Sequence, residues 1–240
     1  MSSRRNDTND ILDRLLAPVF EFLAARLPAR ISPNQITYVS GLCGLGASAV
    51  LIFLPGPEAL LIAAFLILVY SFLDNMDGIH ARKTGRGSKL GGFIDHAFDA
   101  AITPLIFLAL VFRFGLQHPV FLSVVYLRSV ANSIGFCSEV AVGRLFIPKI
   151  GPTVESYLTV VLFVYLFFFP GPGGTGEHVL LRLPLSLPGL PNVYGAFTEF
   201  KLNAIGLFFL TAFLGSLLGY IDIIRFTWKE HGGKHKHEKD

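Results

Sequence analysis

Residues 59–110 read ALLIAAFLILVYSFLDNMDGIHARKTGRGSKLGGFIDHAFDAAITPLIFLAL, two apolar runs separated by a short basic segment. Each run is long enough for a helix that crosses about 30 Å of hydrocarbon, which takes about 20 residues. Aspartates stand where each run meets the basic segment, at Asp74 and Asp77 on one side and at Asp95 and Asp99 on the other. The stretch predicts two antiparallel membrane helices whose carboxylates lie at the same end and face the bundle interior.

The rest of the chain has the composition of a membrane protein. Hydrophobic residues make up 52% of its 240 residues and charged residues 15%, whereas soluble domains average about 25% charged residues. We expect an all-α integral membrane protein with six transmembrane helices, at roughly Ile36–Leu54, Ala59–His80, Leu90–Phe114, Pro119–Val142, Thr153–Phe169 and Asn203–Ile224. Residues 1–35 form an N-terminal segment, residues 36–224 the membrane domain, and residues 225–240 a basic cytoplasmic tail. We expect its last ten residues, HGGKHKHEKD, to be unstructured.

The N-terminal segment contains an amphipathic pattern over residues 10–27, where apolar residues recur at helical spacing. It predicts a helix lying on the membrane surface, and an ordinary core helix is the alternative. Cytoplasmic segments carry an excess of Lys and Arg. With both termini in the cytoplasm, only Arg113, Arg182 and Lys201 fall on the outer side. We therefore expect cytoplasmic termini and an acidic cluster that faces the cytoplasm.

The four aspartates have the spacing of a metal site. Asp74 and Asp77 are three residues apart and Asp95 and Asp99 are four apart, so each pair shares one helix face. Four carboxylates near a bilayer cannot all stay ionised without compensating charge. Oxygen ligands select hard cations such as Mg²⁺ or Mn²⁺, and two such ions can stabilise the attacking and leaving oxygens at a phosphorus centre. An acidic ion pathway in a transporter is the alternative.

Residues around the aspartates favour a phosphate-containing ligand. Gly78 lets a ligand approach the backbone, Arg82 can bind phosphate oxygens, and Gly91 permits close approach at the start of the third span. The basic segment lacks the spacing of a phosphate-binding P-loop. It is also short and abuts the membrane, so no nucleic-acid partner is expected.

Together these residues fit the pattern D-x2-D-G-x2-A-R-x8-G-x3-D-x3-D, whose fixed positions are Asp74, Asp77, Gly78, Ala81, Arg82, Gly91, Asp95 and Asp99. The pattern resembles that of the CDP-alcohol phosphotransferase family of six-span phospholipid-synthesis enzymes. The string SPNQIT before the first span resembles the P-N-x-[IL]-T common there. The resemblance implies that Asp74, Asp77 and Asp95 bind two metal ions, Mg²⁺ or Mn²⁺, and that Asp99 is a ligand, a general base or both. It also implies that Asp77, Gly78, Ala81, Arg82 and Gly91 border the nucleotide of a CDP-linked donor.

Two further strings resemble the choline and ethanolamine phosphotransferase branch. LGGFIDHAFD is similar to its L-G-E-L-F-D-H-G-x-D, so that His96 matches a histidine with a base role, although Gly92 stands where the branch has Glu. IGPTVES is similar to its N-G-P-T-E-G, with one extra residue. The resemblance implies transfer of a phospho-alcohol group from a CDP-choline-like or CDP-ethanolamine-like donor to a lipid hydroxyl such as that of diacylglycerol. The alternative is a CDP-diacylglycerol-dependent phosphatidyltransferase acting on a soluble alcohol.

Polar residues in the fourth and fifth spans are candidates for the substrate pocket. Glu139 and Glu155 are the stronger candidates because carboxylates are costly in hydrocarbon, and Asn132 is the third. Interhelical hydrogen bonding is the commoner role for such residues. His80 is expected to be a solvated interface residue. The expected partners are the bilayer, the CDP-linked donor, a lipid acceptor and a second copy of the chain in a homodimer.

Overall fold

The computed structural model describes residues 7–8, 10–116, 119–143, 146–148, 151–170, 181–184 and 199–237. Its helices are α1 (Ile11–Ala24), α2 (Pro33–Phe53), α3 (Glu58–Thr84), α4 (Lys89–Arg113), α5 (Pro119–Val142), α6 (Pro152–Phe168) and α7 (Ala204–His237). Strand β1 (Asp7–Thr8) pairs in parallel with β2 (Phe146–Ile147), and β3 (Leu181–Pro184) pairs antiparallel with β4 (Glu199–Leu202). The helical architecture is as expected, and the two small strand pairs are additions to it.

Five helices are long and apolar enough to cross a membrane, namely α2, α3, α4, α5 and residues Ala204–Glu230 of α7. Helix α6 is apolar but has only 17 residues, fewer than the roughly 20 that a typical span needs. These helices support a multi-pass membrane protein. The count of six spans, and the division into segment, membrane domain and tail, stay predictions.

Two helices extend beyond the predicted spans. Helix α3 continues past His80 to Thr84 and ends at Gly85, whose φ of +65° is the left-handed conformation that commonly terminates helices. Helix α7 continues to His237. The expectation of an unstructured stretch over residues 231–240 is therefore wrong for residues 231–237, because the backbone of the last span carries on as helix after its apolar residues end.

Helices α2, α3 and α4 pack closely around the main hydrophobic core. A Cβ atom at Gly41 would lie 2.6 Å from the Phe98 ring, and one at Gly44 would lie 2.6 Å from Ile102. Side chains on α4 therefore fill the space that these α2 glycines leave. Helix α2 consequently contacts both helices that carry the aspartates.

Helix α1 has apolar residues on two faces. Phe20 and Ala24 are buried and pack with Met76 of α3, whereas Leu15 and Phe22 are 69% and 56% exposed. Asp10, which caps α1, is fully buried and accepts hydrogen bonds from the backbone amides of Leu12 and Val154. An exposed apolar face fits a helix that rests on the bundle and meets lipid, and its interfacial position stays a prediction.

Candidate functional site

Helices α3 and α4 run antiparallel and bring acidic side chains together beside the loop that joins them. Asp74, Asp95 and Asp99 each offer a carboxylate oxygen, and these oxygens lie within 4.8 Å of one another. Asp77, one turn further along α3, lines the same cavity without joining this group of three. All four predicted carboxylates thus face one cavity, and three of them converge on one point.

The chemistry of this cluster fits a divalent cation. Carboxylate oxygens of Asp74 and Asp95 lie within 4.8 Å of each other, and Asp95 Oδ1 is buried without a hydrogen-bond partner. Carboxylates this close repel one another unless a proton or cation compensates their charge. Because the three converging ligand atoms are all oxygens, the site suits hard cations, the class to which Mg²⁺ and Mn²⁺ belong.

Two of the carboxylates are held by hydroxyl groups. The Tyr70 hydroxyl donates a hydrogen bond to Asp99 Oδ1 at 2.6 Å, and Thr37 Oγ1 donates one to Asp77 Oδ2 at 2.5 Å. Both donors are only 5% exposed. Each bond fixes the orientation of the carboxylate that accepts it. The sequence analysis missed both residues, and the only signal was the place of Thr37 in the string SPNQIT.

His96 is held in place by two residues of α5. Its Nε2 atom lies 2.8 Å from Glu139 Oε2, and its ring stacks on Phe136 with ring centroids 4.5 Å apart. Its Nδ1 atom lies 3.9 Å from Asp95 Oδ2. The structure therefore brings together His96 and Glu139, which the sequence suggested for separate roles, and places the pair beside the acidic cluster.

Glu155 forms an ion pair between α6 and α5. Its Oε2 atom lies 2.5 Å from Arg128 Nε, and the two side chains are 7% and 8% exposed. Arg128 Nη2 is buried without a hydrogen-bond partner, and Arg128 lines the cavity. Glu155 thus makes an interhelical contact. Of this pair, it is Arg128 that lines the cavity.

The cavity has a volume of about 540 Å³. Its wall includes most of the residues that the sequence singled out, namely Asp74, Asp77, Gly78, Arg82, Asp95, His96, Asp99 and Asn132. Helices α5 and α7 contribute the opposite side, which includes Arg128, Phe136 and Ser216. The four aspartates, Arg82 and His96 therefore share one space, which is large enough for part of a nucleotide or a head group.

Four of the predicted site residues lie outside the cavity wall. Within the described ranges, that wall does not include Ala81, Gly91, Glu139 or Glu155. Gly91 instead packs against α2, because a Cβ atom there would lie 2.8 Å from Asn34 Oδ1. The expectation that His80 is solvated is wrong: its side chain is 1% exposed and its Nε2 atom lies 2.9 Å from the Ile31 carbonyl oxygen.

Several proteins of known name are similar to this chain. It is 36% identical over 158 residues to the CDP-diacylglycerol–serine O-phosphatidyltransferase of Encephalitozoon cuniculi, covering 62% of this chain and 41% of that protein. It is 31% identical over 106 residues to cholinephosphotransferase 1 of Gallus gallus, covering 41% of this chain and 31% of that protein. It is also 39% identical over 69 residues to the archaetidylinositol phosphate synthase of Pyrococcus horikoshii, covering 29% and 35%. The chain spans less than half the length of each of these curated relatives.

A family model gives the broader match. The model described as CDP-alcohol phosphatidyltransferase matches residues 30–186. This range contains α2 to α6 and the three converging carboxylates, Asp74, Asp95 and Asp99. By the extent of that match, the chain belongs to the CDP-alcohol phosphatidyltransferase family.

Proposed function

We propose that this protein transfers a phospho-alcohol group from a CDP-linked donor to a hydroxyl acceptor and releases CMP. The observation that carries the proposal is the convergence of Asp74, Asp95 and Asp99 within 4.8 Å in a cavity that Arg82 also lines. Asp74, Asp77, Asp95 and Asp99 would hold two divalent cations, Mg²⁺ or Mn²⁺, which when bound neutralise the charge of the donor diphosphate and of the leaving CMP. Arg82 would bind phosphate oxygens of the donor.

The reaction exchanges one phosphorus–oxygen bond for another. The acceptor oxygen forms a bond to the phosphorus that carries the alcohol, and the bond from that phosphorus to the CMP oxygen breaks. The electron pair of the broken bond stays on CMP, and the acceptor hydroxyl loses its proton to a base of the protein. Two side chains, His96 and Asp99, are candidates for that base.

The contacts around the two candidates favour His96. Asp99 Oδ1 already accepts a hydrogen bond from Tyr70, and a carboxylate that binds a cation is a weak base. The Nε2–H of His96 can donate to Glu139 Oε2 at 2.8 Å. In that tautomer Nδ1 carries the free electron pair and accepts the proton, as a general base does.

The resemblance to the choline and ethanolamine phosphotransferase branch makes an aminoalcohol donor the first candidate. The strings around His96 and Gly151 resemble the choline and ethanolamine phosphotransferase branch, and a relative named cholinephosphotransferase 1 matches 106 residues. We therefore propose CDP-choline or CDP-ethanolamine as the donor class and diacylglycerol as the acceptor class. A phosphatidyltransferase that uses CDP-diacylglycerol and a soluble alcohol is the second candidate, because the relative with the longer match is named for transfer to serine.

Donor assays on purified protein in lipid vesicles separate these proposals. Radiolabelled CDP-choline or CDP-ethanolamine with diacylglycerol should give labelled lipid, whereas CDP-diacylglycerol with labelled serine gives labelled lipid only if the second candidate is right. Cation flux without transfer from either donor would instead support a transporter. We also propose that the cavity faces the cytoplasm, which the distribution of Lys and Arg supports. A homodimer is a further part of the proposal, and the oligomeric state of the purified protein tests it.

A further inference from the structure

The first turn of α2 reaches the acidic cavity although it supplies none of the four carboxylates. Ser32 caps α2 and exchanges hydrogen bonds with Gln35, so the start of the helix is fixed. Thr37 lies one turn further along and places Oγ1 2.5 Å from Asp77 Oδ2. The side chains of Thr37 and Asp77 are 5% and 6% exposed, so water does not compete for this bond.

The Thr37 hydroxyl has a single proton and two acceptors within reach. The Pro33 carbonyl oxygen lies 3.2 Å from Oγ1, and Asp77 Oδ2 lies 2.5 Å away. Because bonds to charged acceptors are shorter and stronger, the proton belongs on the contact with Asp77. The β-branched side chain also restricts the χ1 angle of Thr37. The hydrogen bond from α2 therefore goes to Asp77 Oδ2, and Oδ1 is the oxygen to which Thr37 does not donate.

The position of α2 is fixed on its other side by α4. Gly91 leaves room for Asn34, and Gly41 leaves room for the ring of Phe98. Helix α2 thus cannot move away from α3 without losing packing against the helix that carries Asp95 and Asp99. The hydroxyl of Thr37 is held at a set place relative to both acidic helices.

We propose that Thr37 is a positioning residue for the metal site: its hydroxyl holds Asp77 Oδ2 so that Asp77 Oδ1 faces the cation. The string SPNQIT is then part of the machinery of the acidic motif, 40 residues away in sequence. The inference rests on the proposed function only in that Asp77 binds a cation. Partners that orient metal ligands typically change metal affinity or activity by about 10-fold to 100-fold when removed.

The test measures Mn²⁺ binding to the full-length protein in detergent, by electron paramagnetic resonance of free Mn²⁺ and without any donor. Thr37→Val removes the hydroxyl at nearly constant volume, and Thr37→Ser keeps it. Ser40→Ala is the matched control, because Ser40 Oγ donates a buried α2–α3 hydrogen bond to the Tyr70 carbonyl oxygen at 3.0 Å and contacts no carboxylate. We expect Thr37→Val to raise the Mn²⁺ Kd about tenfold or more, and Thr37→Ser and Ser40→Ala to leave it within about threefold of the original.

A double-mutant cycle shows whether Thr37 acts through Asp77. In the Asp77→Asn background, Thr37→Val should cause no further loss of Mn²⁺ affinity, because the ligand that Thr37 orients is already gone. Unchanged Mn²⁺ affinity in Thr37→Val, an equal loss in Ser40→Ala, or a tenfold loss in Thr37→Ser would each overturn the proposal. The last outcome decides even if the valine variant fails to fold. Mn²⁺ binding that depends on Thr37 in a protein that transfers from no CDP-linked donor would instead refute the proposed function alone.

Discussion

Replacing His96 with alanine tests the assignment of the proton acceptor. General-base catalysis contributes about 10²-fold to 10⁴-fold to a rate, so His96→Ala should lower kcat about a hundredfold or more. A hundredfold loss corresponds to about 2.7 kcal/mol at the transition state. The ring is held by Glu139 and Phe136, and its Nδ1 atom lies 3.9 Å from Asp95 Oδ2, which is beyond hydrogen-bond distance. Metal and CDP affinity should therefore change little.

Substitutions at Glu139 show how much of the His96 contribution to kcat depends on the hydrogen bond that orients the ring. Glu139→Gln keeps an oxygen that can accept from His96 Nε2, so it should reduce kcat less than Glu139→Ala, which leaves the ring held only by its stacking on Phe136. Asp99→Asn provides the contrast, because Asp99 belongs to the converging carboxylates. We expect it to weaken metal binding as well as the rate.

The assay compares initial rates at saturating Mg²⁺ over a range of donor concentrations, together with separate titrations of CDP and Mn²⁺. Normal turnover by His96→Ala, combined with an Asp99→Asn variant that binds metal normally yet is inactive, would refute the assignment and reverse the two roles. Donor assays on the same variants would then show whether transfer proceeds from CDP-diacylglycerol, as the phosphatidyltransferase alternative requires.

Three further predictions follow from the same site and from the charge distribution. Transfer should require Mg²⁺ or Mn²⁺ and stop in a chelator, with Zn²⁺ a poor substitute for oxygen ligands; full turnover in EDTA would exclude the two-metal reading. Asp77→Asn should abolish turnover and weaken metal-dependent CDP binding while the protein stays inserted and monodisperse, and near-normal rates would show that Asp77 is not a ligand. A reporter fused to the C-terminus should be cytoplasmic because Lys and Arg concentrate on that side; a reporter signal from the opposite side would mean that the spans are miscounted.

The part of the site that could be predicted from sequence is the part that is local in the chain. Asp74 and Asp77 share a face of α3, and Asp95 and Asp99 share a face of α4, because helical spacing alone sets those relations. The short loop between the helices then makes them antiparallel and puts both pairs of aspartates at the same end. The approach of three carboxylates to within 4.8 Å is what the structure adds to these local facts. The end of α7 and the burial of His80 could not be predicted in this way. The helix continues past its apolar residues, and His80 is buried by its packing beside Ile31.

Contacts between distant parts of the chain could not be read from the pattern. Thr37 and Asp77 are 40 residues apart, and His96 and Glu139 are 43 apart. The sequence offers many hydroxyl and carboxylate groups in membrane helices, and helical spacing does not say which of them meet across an interface. The packing of α2 against α3 decides the first contact. The packing of α5 against α4 decides the second.

Two parts of the cavity wall differ in how far the sequence predicts them, and this difference bears on substrate choice. The local motif on α3 and α4 supplies the groups suited to a CDP diphosphate, and the names of all three relatives described above are compatible with that shared half of the chemistry. The wall opposite the aspartates comes from α5 and α7, where Arg128 Nη2 and Ser216 Oγ are buried without hydrogen-bond partners. A buried polar group gains most from a ligand that satisfies it. We therefore expect this wall to distinguish one acceptor from another, and for that reason a sequence can show the family while leaving the acceptor open.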